Sequence, residues 1–253
     1  MLNIICDTIE LFRGSEKIIM KLLLCGGGAG EQNNLANQKL NEIITDHTKP
    51  LLYIPFAMSE EKYSYSSCYD WIKGELKNVD IPSIEMVTTK EDLTRKNLSD
   101  YCAIFIGGGN TYKLLSDLKI SGAFDKIKEF INDDGVIIGG SAGAIIFGYD
   151  IASINYMDPN EIGLTDTRGF DVLNGLSITT HYTNQNEEKT KLATEYLNNY
   201  SLHNEKIIAI PEENAIFVDG NTVEIIGIKP YFIFENGNVK KFEIESQGKV
   251  FLK

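Results

Sequence analysis

The chain is short of positive charge, of paired cysteines and of long apolar runs, and each shortage removes a class of function. Twenty-four basic residues face 36 acidic ones, for a formal net charge of −12. Such a surface repels phosphate backbones and anionic lipid, so neither a nucleic-acid nor a membrane partner is expected. It offers no general attraction for acidic substrates either; any such preference needs a local pocket. The four cysteines, Cys6, Cys25, Cys68 and Cys102, show no CxxC spacing. That argues against a zinc site or a disulfide framework and fits a reducing cytoplasm. Cys25 and Cys102 sit in apolar runs and read as small buried hydrophobes. No apolar stretch approaches the roughly 20 residues that span a bilayer.

Residues 1–19 contain apolar pairs, but Asp7, Glu10, Arg13, Glu16 and Lys17 interrupt any signal-peptide core. A strong first strand begins at Met20. Residues 1–19 are therefore expected to be a wrongly assigned or dispensable extension, with the natural start at Met20 and one domain over 20–253. The 253 residues are 43% hydrophobic and 24% charged, enough for a core that holds a rigid site.

From Met20 onward, strand-length apolar runs alternate with helix-length amphipathic stretches. Strands are expected at 20–25, 51–55, 84–87, 103–106 and 136–138, with helices at 33–46, 60–77, 110–117 and 121–132. Continuous apolar strands alternating with helices imply a mostly parallel α/β sheet with helices on both faces. Residues 150–175, rich in Gly, Asp, Asn and Pro, read as a long loop. A helix at 186–199 follows, then short strands at 206–210, 214–218, 223–227, 230–234 and 239–243. Turn signals at 219–221 and 235–238 make these antiparallel additions to the same sheet.

The most informative string is Val136–Ile146, which holds Gly139-x-Ser141-x-Gly143 between a strand and a helical stretch. A nucleophile elbow requires that context: the chain reverses sharply, the serine stands at the apex, and small neighbours relieve the crowding. Ser141 then lies at the carboxyl edge of the sheet, where open α/β folds bind ligands. The N–H of Ala142, at a helix N-terminus, is a natural oxyanion donor. The plainer alternative makes Ser141 a helix N-cap among small packing residues. A second run, Gly107–Thr111, also joins a strand to a helix. It reads either as further oxyanion donors or as a tight turn capped by Asn110 or Thr111. The first run, Gly26-Gly27-Gly28-Ala29-Gly30, fails the dinucleotide fingerprint because Glu31 stands where the third glycine belongs.

A serine needs a general base, and the chain has three histidines. His47 lies at a solvated helix end and His203 in a polar turn. His181 ends a strand and precedes a helix, so it alone emerges at the edge expected for Ser141. A carboxylate should orient the imidazole. Glu212 and Glu213 end an apolar strand at that edge, and Asp166 and Asp171 in the preceding loop are alternatives.

Three strings, Gly107–Thr111, Gly140–Ala144 and His181–Asn184, together resemble the dipeptidase E (aspartyl dipeptidase) family of serine peptidases, with cyanophycinase more distant. Arg168–Asp171 and Ile210–Glu212 add to the resemblance, which runs colinearly from Met20 to about residue 228. It implies a flavodoxin-like sheet related to class I glutamine amidotransferases. It also implies a Ser141–His181–Glu212 triad, oxyanion donors at Ala142 and at Gly109 or Gly108, and no metal or organic cofactor. One departure bears on substrate. The helix after the histidine is arginine-rich in aspartyl dipeptidases, whereas Glu187–Glu195 has only Lys189 and Lys191, so no guanidinium clamp for an aspartate is visible. The expectation is a cytoplasmic serine peptidase on small peptides, with Asp-X as one candidate and a homodimer open. An esterase or amidase with the same triad, or a non-catalytic binding protein on the scaffold, are the alternatives.

Overall fold

A computed structural model describes residues 20–203 and 205–244. The extension expected at 1–19 lies outside the described residues. In chain order the first half comprises β1 (Lys21–Cys25), α1 (Asn34–Ile43), β2 (Leu51–Ile54), α2 (Tyr65–Glu75), β3 (Ile84–Met86), α3 (Lys90–Arg95), β4 (Ala103–Ile106), α4 (Thr111–Ser121), α5 (Ala123–Asn132), β5 (Val136–Gly140) and the short α6 (Ala142–Ile145). The second half comprises β6 (Leu176–Thr179), α7 (Glu187–Tyr200), β7 (Lys206–Ala209), β8 (Ala215–Asp219), β9 (Thr222–Ile226), β10 (Tyr231–Glu235) and β11 (Asn238–Phe242).

The main sheet has seven strands in the order β3-β2-β4-β5-β1-β8-β9. The first five run parallel, and β8 and β9 add antiparallel pairings. Strands β2 to β5 follow the flavodoxin-like order, and β1 fills the next place. Side chains alternate across this sheet with period two. Leu23, Leu51, Tyr53, Phe105, Ile138 and Phe217 pack on one face with Leu40 and Ile43 of α1, Ile72 of α2 and Leu76, which ends α2. Leu22, Leu24, Ile54, Ile104, Ile106, Ile137 and Ile216 face the other way, toward Leu114, Leu118 and Ile127 of α4 and α5.

The turn signals predict every C-terminal strand in one sheet. The structure corrects this: β6, β7, β10 and β11 form a separate four-stranded sheet in the order β11-β10-β7-β6, with β6 and β7 parallel. The reason is burial on both faces. Leu176, Ile178, Ile208 and Tyr231 join the core of the main sheet. Ile207, Ala209 and Phe234 point away from it and pack under Ala193 and Leu197 of α7. The second sheet therefore covers the main sheet beside the helices.

Three smaller differences concern boundaries. Helix α2 starts at Tyr65 because the Ser64 hydroxyl accepts the Ser67 N–H and caps it. Helix α3, capped by Thr89 through the Asp92 N–H, has no counterpart among the expected helices. The loop expected at 150–175 contains a 3-10 turn at Ile151–Ile154 and a bridge between Asp150 and Arg168. Among the described residues, no helix is long and apolar enough to cross a membrane.

Candidate active site

Because β4, β5 and β1 are neighbours, their carboxyl ends bring three loops together: Gly107–Gly109, Gly140–Ser141 and Gly26–Gly28. Ser141 stands between the other two, half-buried, with φ 53° and ψ −113°. A non-glycine residue there carries strain of order 1–3 kcal/mol, which the surrounding packing must hold. Its own N–H donates to the Cys25 carbonyl at 3.2 Å, while its carbonyl accepts from the N–H groups of Ala144 and Ile145 at 2.8 and 3.0 Å. The elbow is thus pinned to β1 on one side and to α6 on the other. Close packing under it admits only glycine at 143, where an added Cβ would lie 2.0 Å from the Ile106 carbonyl oxygen.

The serine side chain does not cap α6. Instead Oγ lies 2.8 Å from Nε2 of His181, and Nδ1 of the same ring lies 2.8 Å from Oε1 of Glu212. When Nδ1 carries the proton and donates to the carboxylate, Nε2 is left to accept the serine O–H. His181 follows β6 and Glu212 follows β7, which are adjacent parallel strands. Both therefore arrive from the second sheet, whereas Ser141 belongs to the first. The His181 N–H donates to the Gly26 carbonyl at 3.0 Å and ties the second sheet to the first, while the Gly26 N–H donates to the Asn214 carbonyl at 2.8 Å and extends the β1–β8 ladder.

The first glycine run, which matched no motif, has its use at this junction. A Cβ at Gly27 would lie 2.2 Å from Cε1 and 2.5 Å from Nε2 of His181, and one at Gly26 would lie 1.9 Å from the Pro211 carbonyl oxygen. Hydrogen makes room for the imidazole and for the turn carrying Glu212. Two amides hold the carboxylate and its backbone. Gln32 Nε2 donates to Glu212 Oε2 at 3.1 Å, and the Glu212 N–H donates to Asn184 Oδ1 at 2.8 Å. No sequence spacing signalled Gln32, because its partner lies 180 positions away.

The other candidates are engaged elsewhere. Glu213 accepts from Asn184 Nδ2 at 3.0 Å. Asp166 pairs with Lys119 at 2.7 Å, and Asp171 accepts the Gly175 N–H at 2.6 Å. His47 contacts the Asp80 carbonyl at an exposed site. Among the described residues, no group of three or more His, Cys, Asp or Glu is placed to hold a metal ion.

Opposite the serine, a Cβ at Gly108 would lie 3.1 Å from Ser141 Cβ, so the glycine loop approaches it closely. The Gly107 and Asn110 N–H groups are spent on the Ile54 and Ala57 carbonyls. Those of Gly108, Gly109 and Ala142 donate to no protein acceptor among the described residues. The loop is also a capped helix start: Asn110 Oδ1 accepts the Lys113 N–H at 2.8 Å, and Asp158 Oδ2 accepts both the N–H and the hydroxyl of Thr111 at 2.9 and 2.6 Å. A cavity of about 400 Å³ opens beside Ser141, His181, Gly108 and Gly109 and runs between the main sheet and α2. A second, of about 320 Å³, lies against His181 on the α7 side.

A mostly parallel α/β sheet with a serine on a strained strand-to-helix turn, hydrogen-bonded to a histidine, defines the class of serine hydrolases. Comparison with known proteins narrows the class. Residues 22–226 match Peptidase family S51. An uncharacterized peptidase of Listeria monocytogenes, Lmo0363, is 33% identical over 186 residues, 69% of this chain and 84% of that protein. Peptidase E of a Nostoc species is 23% identical over 214 residues, 81% of this chain and 84% of its own. Among solved structures, a Listeria monocytogenes EGD-e protein provisionally named a peptidase E superposes with a TM-score of 0.64 at 26% identity, covering 83% of this chain and all of that one. A peptidase from an acI-B1 actinobacterium shares the fold, with a TM-score of 0.65 at 19% identity over 90% of this chain and 95% of its own. The chain belongs to peptidase family S51 and is a serine-type peptidase.

Proposed function

We propose that the protein hydrolyses the amide bonds of small peptides through Ser141, His181 and Glu212 by way of an acyl-enzyme. His181 Nε2 takes the proton from Ser141 Oγ as the oxygen attacks the scissile carbonyl. Glu212 holds the Nδ1 proton, fixing the tautomer and stabilising the imidazolium that forms. The tetrahedral oxyanion settles on the unspent N–H groups of Ala142 and Gly109, with Gly108 as the neighbouring donor. One such donor is worth about 3–4 kcal/mol of transition-state stabilisation. The imidazolium then protonates the leaving amine, whose N–C bond breaks. Water attacks the ester with His181 again as base, and the acid product leaves with Ser141 restored. Every proton transfer falls to a residue of the chain, and the scheme uses no cofactor.

The observation that carries this reading is the pair of 2.8 Å contacts linking hydroxyl, imidazole and carboxylate. Unpartnered N–H groups beside the same hydroxyl support it. Cytoplasmic action fits the thiols of Cys25, Cys68 and Cys102, which are free and buried. Cleavage of Asp-X peptides finds little support: α7 offers the exposed Lys189 and Lys191 and no arginine. The test is turnover of a panel of dipeptides and dipeptide amides by the wild type and by Ser141→Ala. Hydrolysis that vanishes in the variant supports the scheme; hydrolysis that persists overturns it.

A further inference from the structure

The cavity beside Ser141 is built for a particular kind of side chain. Its walls include Tyr53, Met58, Trp71 and Phe105, with Leu23 and Ile138 lower on the strands. Tyr53 and Phe105 meet edge-on with ring centroids 5.8 Å apart, and Trp71 meets Phe105 at 6.3 Å. Among the described residues, neither lysine nor arginine lines it. The carboxylate that lines it, Glu75, is already held by the Gly30 N–H and by Asn33 Nδ2, each at 3.0 Å. A carboxylate entering this cavity would lose water, meet no cation and be repelled by Glu75. An aromatic or branched aliphatic side chain would exchange water for rings and methyls.

The two cavities also divide the substrate. The larger one is walled by the nucleophile and by the glycines with free N–H groups, so it lies on the side of the attacked carbonyl. His181 walls both cavities, but the smaller touches neither Ser141 nor those glycines. His181 is the group that hands a proton to the departing amine, so that side belongs to the leaving residue. Resting on the triad reading above, we infer that the cavity between the main sheet and α2 is the acyl-side pocket and selects peptides with a large apolar or aromatic residue before the scissile bond.

The chain's single tryptophan, Trp71, lines this pocket and reports on its occupancy. Ser141→Ala, which removes only the hydroxyl, is titrated with phenylalanyl, leucyl, glycyl and aspartyl dipeptides while Trp71 emission is followed. In parallel, kcat/KM is measured for the wild type on the same peptides. The expected result is a saturable emission change with phenylalanyl and leucyl peptides, and kcat/KM at least about tenfold higher for these than for glycyl or aspartyl ones. Met58→Lys, a half-buried wall position, should erase that preference and raise turnover of aspartyl peptides. Equal or tighter binding of aspartyl peptides, or a preference that follows the leaving residue, overturns the inference. The two readings fail separately: hydrolysis with the wrong preference sinks only the pocket assignment. Apolar peptides that bind Ser141→Ala but are never cleaved by the wild type sink only the triad.

Discussion

At the scale of single residues, the site depends on two backbones held in the left-handed region, Ser141 at φ 53° and His181 at φ 56°. Both Ser141→Ala and Ser141→Gly remove the contact to His181, so their difference isolates backbone strain. Ser141→Gly should be about 1 kcal/mol more stable than Ser141→Ala in urea unfolding, since only alanine keeps a Cβ at that φ. Glu212→Gln keeps the shape but not the charge. It should lower kcat by about 10²–10⁴ while leaving KM nearly unchanged, because the carboxylate acts on the imidazolium formed during reaction. Gly27→Ala should abolish hydrolysis without unfolding the chain, since the new methyl would occupy the space of the imidazole. How legible were these residues? Ser141 stood out through the strand, the small neighbours and the helix around it, and His181 through its place at a strand end. Spacing alone left the carboxylate open among four candidates; the family resemblance singled out Glu212. Nothing marked Gly27 or Gln32, whose roles exist only across long-range contacts.

At the scale of elements, the proposed scheme requires the loop before α4 to present free N–H groups while its neighbours are tied down. Asp158 performs the tying, through two hydrogen bonds to Thr111 from a loop 47 positions away. Asp158→Ala should therefore loosen the Gly108–Gly109 loop, costing about 1–3 kcal/mol of stability and lowering kcat more than it raises KM. Urea unfolding and steady-state kinetics check the two parts. A drop in stability with kcat untouched would make Asp158 merely structural. The parallel strands β1, β2, β4 and β5 were readable because burial on both faces writes them as unbroken apolar runs. The division of β6 to β11 between two sheets was not. Strands such as Lys206–Ala209 and Ala215–Asp219 carry similar apolar patterns, and pattern does not say which partner a strand pairs with. That choice is set by packing against α7 and against the main core.

At the scale of the whole molecule, the candidate site lies between two sheets, with the hydroxyl on one and the imidazole and carboxylate on the other. The core between the main sheet and helices α1 and α2 includes two thiols that folding keeps neutral. Burial pushes the Cys25 thiol from an ordinary 9.0 up to about 12, and that of Cys102 up to about 11. A group whose folded pKa is raised contributes stability that is complete below its unfolded value and fades as pH climbs toward the folded one. Urea midpoints should hold steady up to about pH 9 and fall between there and pH 12. In Cys25→Ala with Cys102→Ser that alkaline decline should be shallower; an unchanged decline would assign it to other groups. Activation of the serine hydroxyl by its neighbours is the central claim. Labelling with a fluorophosphonate, followed by mapping of the modified peptide by mass spectrometry, measures this. The expected result is modification at Ser141 in the wild type and its loss in His181→Ala. An unlabelled wild type, or equal labelling in both proteins, would contradict it.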